Sequence, residues 1–386
     1  MADMIRFSEH LIEDGFAYCY AISAVDLTGN GSLDLVVPDT NVGLYWFEND
    51  GNGSFTRHTI QNRVGQWLER HAVADINGDG KPEIVFVDNI NGCLLYFAYE
   101  GDPRDSSSWS YRYITEGELP GAYDVTVADL TGNGSLDVAA SDWRIGNSFA
   151  WFENHGESWN KHVIEEGADE SRTIEAADFN GDGRPDLLAG ARVGGEIIWY
   201  KNLGGEGDDL WEKHVIDTAP GPWHGHAVDM DGDGDLDVVI TLWDFDPSLV
   251  VGSSPRIAGH RESGGKGLNQ VVWYENDGSP EAGPWKKHII ADNFPMAFEA
   301  VAADIDGDGQ VEVVVTAGSN KEGRVVVFKH DGDPRGPWRS QVLKEGWPNV
   351  RQVILADLTG NGLLDIVASA ERGSNELRWW RNEGPA

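Results

Sequence analysis

The chain is poor in cysteine, poor in bases and free of long apolar runs. Two cysteines in 386 residues, Cys19 and Cys93, exclude a disulfide-built scaffold. Lysine and arginine number 29 against 65 aspartates and glutamates, a formal charge of −36. So acidic a surface repels phosphate backbones and excludes nucleic acid as a general partner. No stretch approaches the ~18–20 apolar residues of a membrane span, so no membrane partner is expected. The amino terminus carries no apolar signal region, which leaves the cytoplasm or a mature secreted form as the expected location. Disorder is excluded as well, because aromatics make up 10% of the chain and hydrophobic residues 40%, enough for a sizeable core. What the chain has in excess is glycine, 48 residues, clustered with acid.

That clustering is a repeat. A nine-residue pattern starts at Asp26, Asp75, Asp129, Asp178, Asp229, Asp304 and Asp357, as in DLTGNGSLD, DINGDGKPE and DMDGDGDLD. A small-apolar alternating run precedes each copy (HAVAD, VTVAD) and a β-branched run follows it (LDLVV, PEIVF). An aromatic run comes next (LYWFEN, FAWFEN, IIWYKN, VVWYEN, LRWWRN), then segments such as WNKHVI and WEKHVI. Four short strands per repeat of ~50 residues predict radially packed four-stranded blades. The segment FSEHLI at Phe7 matches a fourth strand, and the chain stops after a third. The expected fold is therefore all-β, a single seven-bladed propeller over 1–386 in which the amino-terminal strand completes the last blade. Blade five carries an insertion at about 245–269, rich in Gly, Ser and Pro and expected to form a loop or lid.

Oxygen-bearing side chains at positions 1, 3, 5 and 9 of the pattern, with glycines at 4 and 6, suit calcium, which takes six to eight oxygens. Four carboxylates stand in the sets Asp229, Asp231, Asp233, Asp237 and Asp304, Asp306, Asp308, Glu312. Three stand in Asp75, Asn77, Asp79, Glu83 and in Asp178, Asn180, Asp182, Asp186. Two stand in each of three further sets: Asp26, Thr28, Asn30, Asp34; Asp129, Thr131, Asn133, Asp137; and Asp357, Thr359, Asn361, Asp365. These three are expected to bind more weakly or not at all. Flanking strands and a missing twelfth-position glutamate exclude an EF-hand.

With these motifs the sequence resembles the FG-GAP/VCBS-repeat propellers. These include integrin α-chain heads, some fungal lectins and the propeller domains of carbohydrate lyases and aldos-2-ulose dehydratase. The resemblance covers essentially the whole chain and implies structural calcium, with the acidic loops between first and second strands on one face. It implies a functional mouth on the other face, built by the loops from fourth to first and second to third strands. The fold does not decide function.

Residues that break the repeat point to that mouth. Eleven of the 16 tryptophans follow the blade pattern, whereas Trp67, Trp143, Trp223, Trp243 and Trp347 fall in mouth loops, where exposed indoles would stack on sugar rings. Histidines recur at one fourth-strand position (His10, His58, His162, His214, His288), while His71, His224, His226 and His260 belong to mouth segments. Period-two alternation on the innermost strands places Arg70, Asp124, His224 and Glu299 in an upper ring and Glu175 and His226 deeper. One residue further out come Tyr20, Glu69, Tyr123, Arg172, Trp223, Phe298 and Arg351. The second-to-third-strand loops add Arg144, Arg192, Glu371 and Arg372.

Every blade differs at these positions, which favours one asymmetric ligand site. Arginines suit a carboxylate or a developing enolate, and histidine with tyrosine suits proton transfer. The leading expectation is a carbon–oxygen lyase acting on a carbohydrate or related polyol, with His224 or His71 as base, Tyr123 as acid, and Arg70 and Arg172 holding the anion. Glu299 and Asp124 complete the catalytic candidates, and as a carboxylate pair they also leave a glycosidase open. Trp67, Trp143, Arg144, Arg192, Trp223, Trp243, His260, Trp347, Arg351 and Arg372 would contact the ligand. His224 and His226, with Glu175, also permit a divalent transition metal. The alternatives are a non-catalytic, lectin-like saccharide binder and an integrin-like protein-interaction platform.

Overall fold

The computed structural model describes residues 4–40, 42–62, 67–143, 145–243, 269–319 and 321–385. Seven four-stranded antiparallel sheets form a ring. Blade two runs Leu68–Ala74, Glu83–Asp88, Cys93–Tyr99 and Trp109–Thr115, and the other blades repeat this plan. The first strand of each blade is innermost. Blade seven takes its outer strand from the amino terminus. That strand, Ile5–Glu13, pairs antiparallel with the last strand, Glu376–Pro385, with Ser8 opposite Arg381 and His10 opposite Trp379. The ring thus closes through its two chain ends. The blade-five insertion lies outside the described residues, apart from its last residue, Asn269.

Seven hydrophobic clusters fill the seven spaces between neighbouring blades, as propeller geometry requires of sheets apolar on both faces. The repeated third-strand tryptophans sit in them: Trp46, Trp151, Trp199 and Trp273 are fully buried. The recurrent histidine of the outer strand stacks on each, with ring centroids 4.5 Å apart for His58 on Trp46 and 4.4 Å for His288 on Trp273. This explains why these histidines follow the blade pattern.

Each acidic loop is shaped by its own carboxylates. In blade five Asp229 accepts the N–H groups of Gly232 and Gly234, glycines with φ of 77° and 99° that let the backbone curl. Asp237, at position nine, accepts from Met230 N–H at 2.9 Å and from Asn276 N–H at 2.8 Å, joining the loop to the end of the third strand. That asparagine then reaches the preceding blade. The Asn276 amide donates to Leu236 C=O in its own blade and to Phe179 C=O in the loop of blade four. Asn49, Asn154, Asn202 and Asn382 make the equivalent latch to Leu358, Ile76, Leu130 and Ile305. In blade two Tyr99 hydroxyl replaces the asparagine and donates to Leu27 C=O at 2.8 Å.

Candidate functional site

Strict alternation would turn successive residues of an inner strand to opposite sides. Six of the seven inner strands instead begin with a register shift, for example between Leu68 and His71, Ala122 and Asp124, and Pro222 and Gly225. The others fall at Ser171/Ile174, Ala297/Glu299 and Val350/Val353. Such bulges re-aim side chains, so Tyr123 and Arg172, expected further out, join the ring at the axis. Tyr20 reaches the same place from the segment before the unbulged inner strand of blade one. Tyr20 and Tyr123 hydroxyls share a hydrogen bond of 2.8 Å across the channel, and Tyr123 hydroxyl lies 3.0 Å from His224 Nε2. Thr173 Oγ1 stands 3.4 Å from the other ring nitrogen. Burial and the charges of Arg70 and Arg172 hold the His224 imidazole well below the ordinary histidine range, so it is neutral. Gly225 lets this strand approach its neighbour closely, because a Cβ there would stand 2.9 Å from Val239 C=O.

Beside this network Arg172 is enclosed by three rings, its guanidinium carbon 3.7 Å from the Trp143 centroid, 4.3 Å from Trp223 and 4.6 Å from Tyr123. Glu170 bonds both Arg172 (3.4 Å) and Arg192 (2.9 Å). Sequence reasoning missed Glu170, because it precedes the inner strand and no repeated position marks it. Further round the rim, Arg351 bonds Glu371 at 2.7 Å, and Arg372 bonds Glu371 and Tyr18 hydroxyl.

One layer down the charges neutralise one another. Arg70 makes a two-pronged pair with Glu299, at 3.2 and 2.8 Å, and stands 3.9 Å from Asp124. Burial pushes Asp124 up to about 6, against the pull of Arg70. His226 lies between Glu175 at 2.9 Å and Glu299 at 3.3 Å. Although burial opposes it, these carboxylates raise His226 to about 10 and keep it charged.

Several expectations change. The mouth is not a pocket ringed by exposed indoles. Trp223, Trp243 and Trp347 are buried and Trp67 and Trp143 half-buried, because apolar rings close over the axis. Tyr18, Tyr20, Trp223, Trp243 and Phe298 form a cluster there, with Trp67 packed against it. Trp347 belongs to the core between blades six and seven, 5.8 Å from Trp380. The channel opens the other way. His224 is 1% exposed, whereas the His226 and Glu175 side chains, nearer the acidic loops, are 32% and 29% exposed.

Arg70 is committed to Glu299 and does not face the axis as a free anion-binding group. His71 shares a 2.7 Å hydrogen bond with Ser23 Oγ and packs on Phe86, and burial drives it down to about 3. It is a neutral residue turned toward the seam with blade one, apart from Tyr123. The transition-metal set does not fit. Both His226 nitrogens are taken by carboxylates, His224 bonds Tyr123, and the described residues bring no ligand group together in the channel. Arg144 and His260 lie outside the described residues.

Ligand groups of three or more His, Cys, Asp or Glu converge among the described residues at two acidic loops, Asp229/Asp231/Asp237 and Asp304/Asp306/Asp308. The donor chemistry of the first, three carboxylates on a loop pinned by its own amides, fits a calcium ion. Burial and the neighbouring Asp231 and Asp233 push Asp237 up to about 7, the repulsion a divalent cation would relieve. Asp233 itself stands outside that group and accepts Asp235 N–H at 2.9 Å.

The other five loops gather no such group among the described residues; three of them carry only two carboxylates each, the sets expected to bind more weakly or not at all. Most of their side chains at positions three and five bond within the loop, as Asp231 and Asp233 also do in blade five, because a short oxygen-bearing side chain readily accepts the amide two residues on; Thr359 hydroxyl is an exception. In blade one Thr28 hydroxyl donates to Asp26 at 3.3 Å, and Asn30 Oδ1 accepts Ser32 N–H at 2.7 Å. Asp34 accepts the Leu27 and Asn49 amides. In blade three Thr131 hydroxyl donates to Asp137 at 3.4 Å, Asn133 Oδ1 accepts Ser135 N–H at 2.7 Å, and Asp129 accepts the Asn133 and Gly134 amides. In blade seven Asn361 Oδ1 accepts Leu363 N–H at 2.8 Å, and Asp357 accepts the Thr359 and Asn361 amides. Asp365 there accepts the Leu358 and Asn382 amides.

Blades two and four, with three carboxylates each, behave the same way. The Asn77 amide donates to Glu83 at 2.7 Å, and its oxygen accepts Asp79 N–H at 2.8 Å. Asp79 accepts Lys81 N–H at 2.9 Å, and Asp75 accepts the Asp79 and Gly80 amides. Asn180 donates to Asp182 at 3.1 Å and accepts its N–H at 3.0 Å, while Arg184 pairs with the Asp182 carboxylate. Asp178 accepts the Asp182 and Gly183 amides, and Asp186 those of Phe179 and Asn202. In both loops the asparagine at position three thus bonds a neighbouring carboxylate.

Residues 26–86, 75–140, 129–189, 178–240 and 304–368 match the model of the FG-GAP-like repeat. The chain belongs to the FG-GAP-like repeat family. Among solved structures similar to this FG-GAP-like chain is BBS1N in complex with ARL6DN, from crystals soaked with mercury or lead. Both share 12% identity over 100% of this chain and 98% of that one, with TM-scores of 0.59 and 0.57. The calcium structure of the Trichoderma reesei Carbohydrate-Active Enzymes Family AA12 matches at 13% identity, covering 99% and 97%, with a TM-score of 0.46. No curated protein sequence matches the chain. At such identities the BBS1N likeness shows the propeller fold and nothing finer.

Proposed function

We propose that this propeller is a carbon–oxygen lyase acting on a carbohydrate or related polyol, with calcium as a structural clip in its acidic loops, foremost that of blade five. The observation that carries the reading is the Tyr20–Tyr123–His224 chain, which joins two phenols to an imidazole held neutral by burial. A neutral imidazole is a competent base, and a phenol beside it can protonate a leaving oxygen. His224 takes the proton α to a carboxylate and the electron pair becomes a C=C bond. The β C–O bond then breaks, and Tyr123 passes its proton to the departing oxygen, with Tyr20 bonded behind it. Arg172, stacked by three rings and close to both groups, holds the substrate carboxylate. His224 is 1% exposed, so admitting a saccharide requires a displacement of the aromatic cover, in which Trp67 and Trp143 are the half-buried rings.

The test is a panel of uronate-containing polysaccharides, with ultraviolet absorbance of the new C=C bond as readout. His224→Gln and Tyr123→Phe should each lower the rate by ~10²–10⁴-fold with the fold intact. No unsaturated product from any member, or full rates in both variants, removes the lyase reading.

A second reading has its own observation. Val42, Ile90 and Ile145, at the second-to-third-strand tips of blades one to three, are 44%, 54% and 73% exposed on the face whose centre is closed. A protein-interaction platform would use such a rim without opening the axis.

A further inference from the structure

The two loops with four carboxylates differ in one respect that their motifs do not reveal. In blade six the Lys329 side chain, 5% exposed, enters the acidic loop from the third strand. Its ammonium stands 2.7 Å from Asp306 Oδ2, 2.9 Å from Asp308 Oδ2 and 2.8 Å from Glu312 Oε1. The fourth carboxylate, Asp304, accepts the loop amides of Gly307, Asp308 and Gly309, so the loop is curled as in blade five.

Calcium sits ~2.3–2.6 Å from its oxygens. An ion reaching the same three oxygens from the same side would lie within ~1 Å of Lys329 Nζ, far inside contact distance, so ammonium and ion exclude one another. In the neighbouring loops that place in the third strand holds Glu48, Ala98, Glu153, Lys201, Glu275 and Arg381. Lys201 turns its ammonium outward to Glu281. Asp229, Asp231 and Asp237 converge in blade five as Asp304, Asp306 and Asp308 do in blade six. In blade five Glu275 brings no cation and Arg335, reaching in from the next blade, bonds Glu275 and only Asp231 of the three, whereas in blade six one ammonium bonds Asp306, Asp308 and Glu312 together.

We propose that Lys329 is the built-in cation of the blade-six loop, which is therefore a metal-independent clip despite an acidic motif as full as that of blade five. The proposal draws on the calcium reading of the loops only for its contrast with blade five, and it concerns the lysine site itself.

Crystals of the full chain soaked in terbium(III) and examined by anomalous scattering test it. The wild type should show a peak in the blade-five loop and none in blade six. Lys329→Met should gain one blade-six peak, and one more ion per chain in equilibrium dialysis. A wild-type peak among Asp306, Asp308 and Glu312 overturns the proposal, as does a folded Lys329→Met without one. Peaks missing from blade five while the variant gains its own would sink the calcium reading there and leave the lysine proposal standing. Should Lys329→Met fail to fold, Lys329→Gln, which keeps most of the stem and can bond the carboxylates, is expected to fold and take the ion. If it takes none, the proposal is overturned.

Discussion

The asparagine latch predicts a graded loss of stability. Asn382, 1% exposed, makes three side-chain hydrogen bonds: its amide donates to Ile305 C=O at 2.8 Å and to Leu364 C=O at 3.1 Å, and its oxygen accepts Gly384 N–H at 2.9 Å. Tyr99 makes one bond to the equivalent carbonyl of the preceding blade. At about 1 kcal/mol per buried hydrogen bond, Asn382→Ala should cost about 3 kcal/mol and Tyr99→Phe about 1 kcal/mol. Asn382→Asp keeps the acceptor but loses both donations and sets a charge against two carbonyls, so it should be at least as damaging as the alanine. Urea unfolding followed by tryptophan fluorescence reads all three against the wild type. If Asn382→Ala is no more destabilising than Tyr99→Phe, the latch contributes nothing beyond one ordinary hydrogen bond and the reasoning fails.

Two predictions concern the channel. His226 is raised to about 10 by Glu175 and Glu299, above its unfolded value of 6.5. Its contribution to stability is therefore full below pH 6.5 and fades as pH rises through 10. His226→Gln should flatten that alkaline fall in a pH series of melting temperatures, and an unchanged slope would refute the assignment. Arg70→Met strands the fully buried Glu299 and should cost about 3–5 kcal/mol. Adding Glu299→Gln should recover part of that loss in a double-mutant cycle, and strict additivity would show that the pair is not coupled.

The ring, its seven blades and its closure by the first strand were legible because the DxDGDGxxD-type loops and aromatic runs recur in register, and each repeat must bury both faces against neighbours. The repeated histidines were legible for the same reason: a position that serves every blade recurs in every blade. The inner strands were half legible. Arg70, Asp124, His224 and Glu299 do meet at the axis, but period-two reasoning could not foresee the bulges that turn Tyr123 and Arg172 inward beside them. Nor could it foresee that a ring of aromatics would close over itself and bury Trp223 and Trp243 instead of presenting them. Lys329 was visible as a lysine where three blades carry glutamate, yet only the path of its side chain shows that it ends among three carboxylates.

The latch also gives the ring a direction. Each asparagine reaches backward to the blade before it in the chain, so during synthesis from the amino terminus a new blade finds its acceptor already made. Blade one is the exception: Asn49 donates to Leu358 C=O of blade seven, 309 residues downstream. Its amide, like the amino-terminal strand, finds its partner only once blade seven has been made. Ring closure therefore depends on blade seven twice over, through the carbonyl that Asn49 reaches and through the strand that pairs with the amino-terminal one.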